Sequence, residues 1–342
     1  MPRRPTILDL ARAAGVGTAT VDRALNGRAN VSARSKAAIA AAAERIGYHL
    51  PPAAALTAPA RPDITLAFVL HKPSQEFYRR FADELNAACA DCRTAQVTPD
   101  IRFAASQAPD DFADAISAAA RAGQAVAATA INHPTLSRLV ETLAARGTAV
   151  FPLLNDFAGR AGAGYVGMDN LKVGRIAGWM MATQLQRPCR VAICVGGARW
   201  HGQGLREAGF RSALRDTGPQ IDLADTIVNL ETRQVTYEAT LNLLERHADL
   251  AGIYVAGGGM EGAIAALREA RPPGKVALIV NELTAESRAA LADRYAIMAI
   301  ATPLQQLCRA LVDRMVAVVQ AADKTPPAPL LFEPQLYLPE SV

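Results

Sequence analysis

From residue 63 onward, short apolar runs alternate with longer stretches of helical spacing, and this alternation leaves the chain few architectures. ITLAFVL (64–70), AVAATAI (125–131), RVAICVGG (190–197), AGIYVAG (251–257), KVALIVN (275–281) and AIMAIA (296–301) are each about one strand long. They are apolar nearly throughout, as strands covered on both faces are. Between them lie amphipathic stretches such as FYRRFADELNAACADC (77–92) and TLSRLVETLAARG (135–147). Strand–helix–strand repeats of this length build parallel sheets through right-handed crossovers. TAVFPLL (148–154), GYVGM (164–168) and DTIVNL (225–230) bring the strands to more than one sheet holds comfortably. Two α/β lobes are therefore expected, with the break near GAGYV (162–166).

The first 49 residues follow another pattern. Thr6 and Asp9 have the spacing of a capping box, which opens a helix running to about Ala13. Ala14-Gly15-Val16-Gly17 makes a tight turn, a second helix runs from about Thr18 to Asn26 and stops at Gly27, and Ser32 caps a third that ends at Gly47. Ile7, Leu10, Ala11, Val16, Val21, Leu25, Val31, Ile39 and Ile46 are the expected core of this all-α head. Helix, glycine turn and second helix make a helix–turn–helix, whose second helix enters the major groove of DNA. Small residues at its front, Thr18, Ala19 and Thr20, let the backbone approach base edges, and Arg23 one turn on has the fork to read a guanine. The charge agrees. The net charge is +4, yet residues 1–56 hold eight basic residues against three acidic, and the remainder 28 against 29. A basic head on a neutral body points to a nucleic-acid partner. LPPAAALTAPARP (50–62) reads as a linker between them.

Other chemistries are less well supported. No apolar run reaches 18 residues, and MPRRPTILDLARAAG has no apolar signal-peptide core, so a cytoplasmic protein that spans no membrane is expected. Five cysteines at irregular spacing fit reduced thiols, and CADC (89–92) falls within an amphipathic helix, where packing explains it. No spacing of His, Cys and acidic residues suits a metal, and no cofactor is expected. GGGMEG (257–262) does compete: it satisfies GxGxxG, follows a strand, opens a helix and has Glu282 about twenty residues on. The alternative function is thus an NAD-dependent oxidoreductase. Its position late in the chain and the lack of a converging catalytic set weigh against it.

TILDLARAAGVGTATVDRALNGRANVSARSKAAIAAAAERIGY (6–48) resembles the DNA-binding head of the LacI/GalR family of transcriptional regulators. YVGMDN (165–170), GLREAGFRSAL (204–214), GIYVAGGG (252–259) and NELT (281–284) resemble that family's effector domain, which is similar to periplasmic sugar-binding proteins. The resemblance implies a helix–turn–helix head at 1–49, a hinge at 50–62 and a two-lobed α/β periplasmic-binding-protein-like domain at 63–342. Lobe 1 would hold about 63–162 and 301–325, and lobe 2 about 163–300 with the C-terminal segment. It implies a regulator, of repressor type, that binds operator DNA as a homodimer; FEPQLYLPESV (332–342) has no leucine heptad for a tetramer. The DNA contacts expected are Thr6, Gly17, Thr18, Ala19, Thr20, Arg23, Asn26, Asn30 and Leu56, the last as a minor-groove wedge that Pro51, Pro52 and Pro59 confine to a short helix. Gly17 and Asp22 stand where the family usually carries serine, and Asp22 is expected to brace Arg23 or accept from a cytosine. A small molecule, a sugar or polyol, is expected between the lobes at the strands' carboxyl ends. The candidates there are Gln75, Asn132, His133, Asn155, Asp156, Arg206, Asn281 and Glu282, with Phe77 and Tyr78 to stack on a sugar face. By resemblance, Arg206 and Asp156 would grip it from opposite lobes. Where relatives often carry Gln, this chain has Ala301 and Thr302.

Overall fold

Thr6 starts the first helix by answering two of its own backbone donors. Its hydroxyl accepts from Asp9 N at 3.3 Å, and the Asp9 carboxylate accepts from Thr6 N at 2.9 Å. The helix α1 (Ile7–Ala14) ends at Gly15, whose φ of 65° lets its N–H turn back to Ala11 and Arg12. The chain is described here by a computed structural model covering residues 5–26, 31–49, 61–321 and 325–342. Gly27, Asn30, Leu56 and most of the expected hinge lie outside the described residues. After the turn come α2 (Thr18–Leu25) and α3 (Ala33–Ile46), the latter capped by the Ser32 hydroxyl. Leu10, Ala11, Val21, Ala24, Leu25, Ile39, Ala42 and Ala43 are buried among these helices, with Val16, Val31 and Ile46 partly buried around them. Ile7, expected in this core, is 39% exposed and lies outside it.

The body has two parallel sheets. In lobe 1, β1 (Asp63–Leu70), β2 (Gln96–Phe103), β3 (Ala125–Ala128) and β4 (Ala149–Pro152) take the order β2-β1-β3-β4. The helices between these strands are α4 (Glu76–Asp91), α5 (Pro109–Ala122) and α6 (Pro134–Ala145). Lobe 2 contains β6 (Cys189–Val195), β7 (Ile221–Val228), β8 (Leu250–Val255), β9 (Ala277–Asn281) and β10 (Ala296–Ala301), parallel to one another, with β12 (Gln335–Tyr337) antiparallel on β10. Its helices are α7 (Asn170–Gln184), α8 (His201–Thr217), α9 (Arg233–Arg246), α10 (Met260–Ala270) and α11 (Ala285–Ala292). A last helix, α12 (Leu304–Gln320), packs on α4 of lobe 1, and the short β5 (Val166–Met168) pairs with β11 (Leu330–Phe332). The chain therefore crosses between lobes after β4, before α12 and again between α12 and β12.

Both sheets are sealed by apolar helix faces, with Phe68, Phe81, Phe112 and Phe151 in lobe 1 and Phe210 and Tyr254 in lobe 2 wholly or almost wholly buried. One helix pair makes unusually close contact. A methyl group added at Gly174 of α7 would overlap the carbonyl oxygen of Arg206, and one at Gly209 of α8 the carbonyl of Leu171. The backbones of α7 and α8 thus touch, and this contact fixes where Arg206 starts. Among the described residues, no helix is long and apolar enough to cross a membrane.

Candidate functional site

The carboxyl ends of β1, β3 and β4 in lobe 1 face those of β6 to β10 in lobe 2, and a cavity of about 840 Å³, its mouth included, lies between them. Seven of the ten expected effector residues line it: Gln75, Phe77, Tyr78, Asn155, Arg206, Asn281 and Glu282. Their capacity to meet a ligand differs sharply. Asn155 donates to Ala130 O at 2.7 Å and Asn132 Oδ1 at 2.9 Å while accepting from Gly202 N at 2.9 Å, so its amide braces the crossing of the lobes. Asn281 accepts from the Tyr254 hydroxyl at 2.8 Å and spans to Ile300 O at 3.3 Å. Arg206 is half committed. Its Nε donates to Asn170 Oδ1 and its Nη1 to Ala256 O, both at 2.7 Å, which aims the remaining N–H edge of the guanidinium. Glu282, on left-handed backbone with φ of 75°, accepts from Thr302 N at 2.9 Å and Thr302 Oγ1 at 2.7 Å. Burial raises its carboxyl above the usual range, the Thr302 bonds pulling the other way. Phe77, Tyr78 and Trp200 supply apolar surface.

Three candidates are placed elsewhere. Asp156 does not line the cavity: its carboxylate accepts from Gly159 N at 3.3 Å, capping its own turn, so the expected Arg206–Asp156 grip is not formed. Asn132 is held inside lobe 1 by its bonds to Asn155 and, at 2.8 Å, to Asp156 O. His133 is the N-cap of α6, its Nδ1 accepting from Thr135 N at 3.2 Å. In each case a backbone donor or acceptor within lobe 1 has taken the side chain, a local one for Asp156 and His133.

The glycine loop is also explained by packing. A Cβ at Gly257 would strike the Gln203 side chain, one at Gly258 would come within 2.9 Å of Glu231 Cβ, and one at Gly259 would strike Thr236. Gly258 N, which in a dinucleotide site would face phosphate, donates to Glu231 Oε1 at 3.3 Å. The chain's own carboxylate occupies the anion position at the start of α10, and Glu282 is turned to Thr302 rather than to a ribose. Glu231 is 7% exposed and has four more contacts: Gln203 Nε2 at 2.6 Å, Lys72 Nζ at 2.9 Å, Gln107 Nε2 at 3.2 Å and His71 Nε2 at 3.9 Å. Burial pushes its carboxyl up, but His71 and Lys72 together outweigh this and hold it well below the usual range. Burial lowers the imidazole of His71 against the pull of Glu231.

On the head, the outer side of α2 is bare. Gly17, its N-cap, offers no side-chain bond, so the first N–H groups of the helix are free of caps, and Thr18, Ala19 and Arg23 are exposed. Thr20 is half-buried, and the Thr6 hydroxyl is taken by Asp9 at 2.7 Å. Asp22 braces Asn26 rather than Arg23: Asn26 Nδ2 donates to its carboxylate at 2.9 Å and to its carbonyl at 3.0 Å.

Residues 6–50 match the family of bacterial regulatory proteins of lacI type, and residues 66–323 match a periplasmic binding protein domain. The chain belongs to the lacI family of regulators. No curated protein matches it closely enough to count as a relative. Solved structures share the body's fold. GanP, a glucose-galactose binding protein from Geobacillus stearothermophilus, superimposes with a TM-score of 0.75 at 17% identity, over 82% of this chain and 99% of its own. An ABC transporter solute-binding protein from Burkholderia graminis, in complex with D-arabinose, gives 0.75 at 18% identity over 82% and 96%. Another from Agrobacterium vitis, bound with α-D-tagatopyranose, gives 0.74 at 17% identity over 81% and 95%.

The regulator's cleft also contains Thr129, Trp200, Gln203, Glu231 and Glu261, none of them an expected effector residue, and Thr302, which the sequence marked only as a departure from relatives. Thr129 and Thr302 follow directly on β3 and β10, and Glu231 lies in the loop after β7. That position was the available signal.

Proposed function

We propose that this regulator binds operator DNA as a cytoplasmic homodimer, acting as a repressor, and that a neutral, hydroxyl-rich molecule in the interlobe cleft sets its operator affinity. The reading rests on one juxtaposition: the N–H edge of Arg206 and the buried carboxylate of Glu282 line the same cavity beside Phe77 and Tyr78. A hydroxyl both accepts from a guanidinium and donates to a carboxylate, so a sugar or polyol satisfies both groups with charge-assisted bonds. A phosphorylated sugar fits poorly. Lys72 is engaged by Glu231, so its phosphate would meet Arg206 alone against Glu261 and Glu282. The sugars in the names of the three structural neighbours accord with this class. On the head, the bare outer side of α2, with Thr18, Ala19 and Arg23, is the operator-reading surface.

The test is a thermal-shift screen of unphosphorylated sugars and polyols, followed by operator affinity with and without the best ligand. The ligand should change operator affinity, and Arg206→Ala should weaken its binding about 100-fold, the scale of losing one partner of a buried charged bond. A ligand that binds but leaves operator affinity unchanged, or that binds Arg206→Ala as well as wild type, would sink the proposal.

A further inference from the structure

The lobes touch directly on both sides of the cleft, and every group in these contacts belongs to the chain itself. On one side stands Glu231. Lobe 2 fixes its carboxylate through Gln203 Nε2 and Gly258 N on Oε1, and lobe 1 reaches across with Lys72 Nζ and Gln107 Nε2 on Oε2. Lys72 Nζ also donates to the Glu231 carbonyl at 3.1 Å. Beneath the pair, His71 of lobe 1 stacks on Trp200 of lobe 2 with ring centres 5.1 Å apart. On the other side the Glu76 carboxylate accepts from Ala285 N at 3.0 Å, and Arg80 Nη1 donates to Leu283 O at 2.7 Å.

A buried ion pair holds two bodies together only when its remaining lone pairs and protons are answered. Here they are: both oxygens of Glu231 have at least two donors. The backbone also shows that the position is enforced. Lys72 (φ 53°), Leu230 (φ 52°) and Glu231 (φ 53°) all adopt left-handed conformations without being glycine, a state that persists only where the surroundings impose it. Both partners of the pair are thus held in strained backbone, one in each lobe.

We infer that Lys72 and Glu231 form a built-in clasp that favours lobe closure by itself, so the effector adds to a closure the chain already prefers. This rests on the proposed function only in taking the cleft as the effector site. Removing Lys72 leaves Glu231 with neutral donors in the closed form, whereas opening hydrates it, so closure loses its advantage. The effector then has to supply that closure, and its apparent affinity falls by the factor by which the closed population falls.

The clasp is tested on the full chain by the distance between spin labels on Asp114→Cys of α5 in lobe 1 and Arg215→Cys of α8 in lobe 2, both exposed. The five native cysteines are buried and leave the labels selective. Without added ligand, pulsed electron resonance should give mainly the short interlobe distance. Lys72→Met should raise the longer-distance population about ten-fold relative to the short one, and Glu231→Gln should act in the same direction. Melting curves of both variants confirm that the lobes remain folded. A long distance in the parent protein, or an unchanged distribution in folded Lys72→Met, overturns the clasp. The readout needs neither operator nor sugar, so its failure leaves the proposed function standing, and a failed ligand screen leaves the clasp standing.

Discussion

Arg23, the proposed base-reading side chain, is oriented by its own helix. Its Nε donates to Ala19 O, one turn back, at 3.1 Å, which lays the guanidinium along the exposed side of α2 with its two terminal nitrogens outward. Asp22 is occupied by Asn26, so it does not quench the arginine. Arg23→Ala should therefore cost about 1–3 kcal/mol on the specific operator and relax the preference at one base pair. Binding to cognate and random duplexes decides it, because an equal loss on both would mean that Arg23 touches phosphate alone. The residue scale is also where reading the sequence succeeds least. Arg206 and Glu282 could be named from their places after strands, but Asp156, Asn132 and His133 have similar places and bond within lobe 1. Whether a polar side chain meets a ligand or a nearby backbone N–H is settled by a few ångströms of loop geometry that spacing does not encode.

Elements were more legible. Every expected strand is present, because a strand buried in a parallel sheet leaves an apolar run. Those missed were β2, which is largely polar, and β11 and β12, each only 3 residues long. β2 is QVTPDIRF, with a proline that only an edge strand tolerates, and it lies at the edge of its sheet. β7 starts at Ile221 rather than at Asp225, its first half masked by polar residues. The close approach of α7 and α8 was overlooked, although Gly174 and Gly178 stand four residues apart on α7 and both meet the backbone of α8. Its consequence can be measured. Gly174→Ala places a methyl group against the Arg206 carbonyl, so α8 must move away from α7. The change should destabilise the body by about 1–3 kcal/mol in denaturant unfolding, and weaken effector binding because Arg206 moves with the helix. Unaltered stability would show that the two helices separate freely.

At the scale of the molecule, two recognition surfaces obey different electrostatics. The basic surplus lies in the first sixth of the chain, whereas Arg206 and Glu282 line a cleft. If a pair of heads neutralises about six phosphates or more, operator affinity should fall roughly 1,000-fold between 50 and 200 mM salt. Effector affinity, set by groups shielded from bulk ions, should change less than about two-fold. Parallel salt titrations of both ligands test this, and equal slopes would contradict it. The division of labour inside the cleft has a consequence for descent. Asn155, Gln203 and Glu231 have their polar atoms committed to the frame, whereas Gln75, Arg206, Glu261 and Glu282 keep bonding capacity toward the cavity. Drift at the committed positions unfolds or unlatches the lobes, so lineages that acquire a new effector must travel through the second, much smaller set. Two descendants of this chain could respond to different nutrients while differing at four positions in the cleft and sharing all the masonry around them.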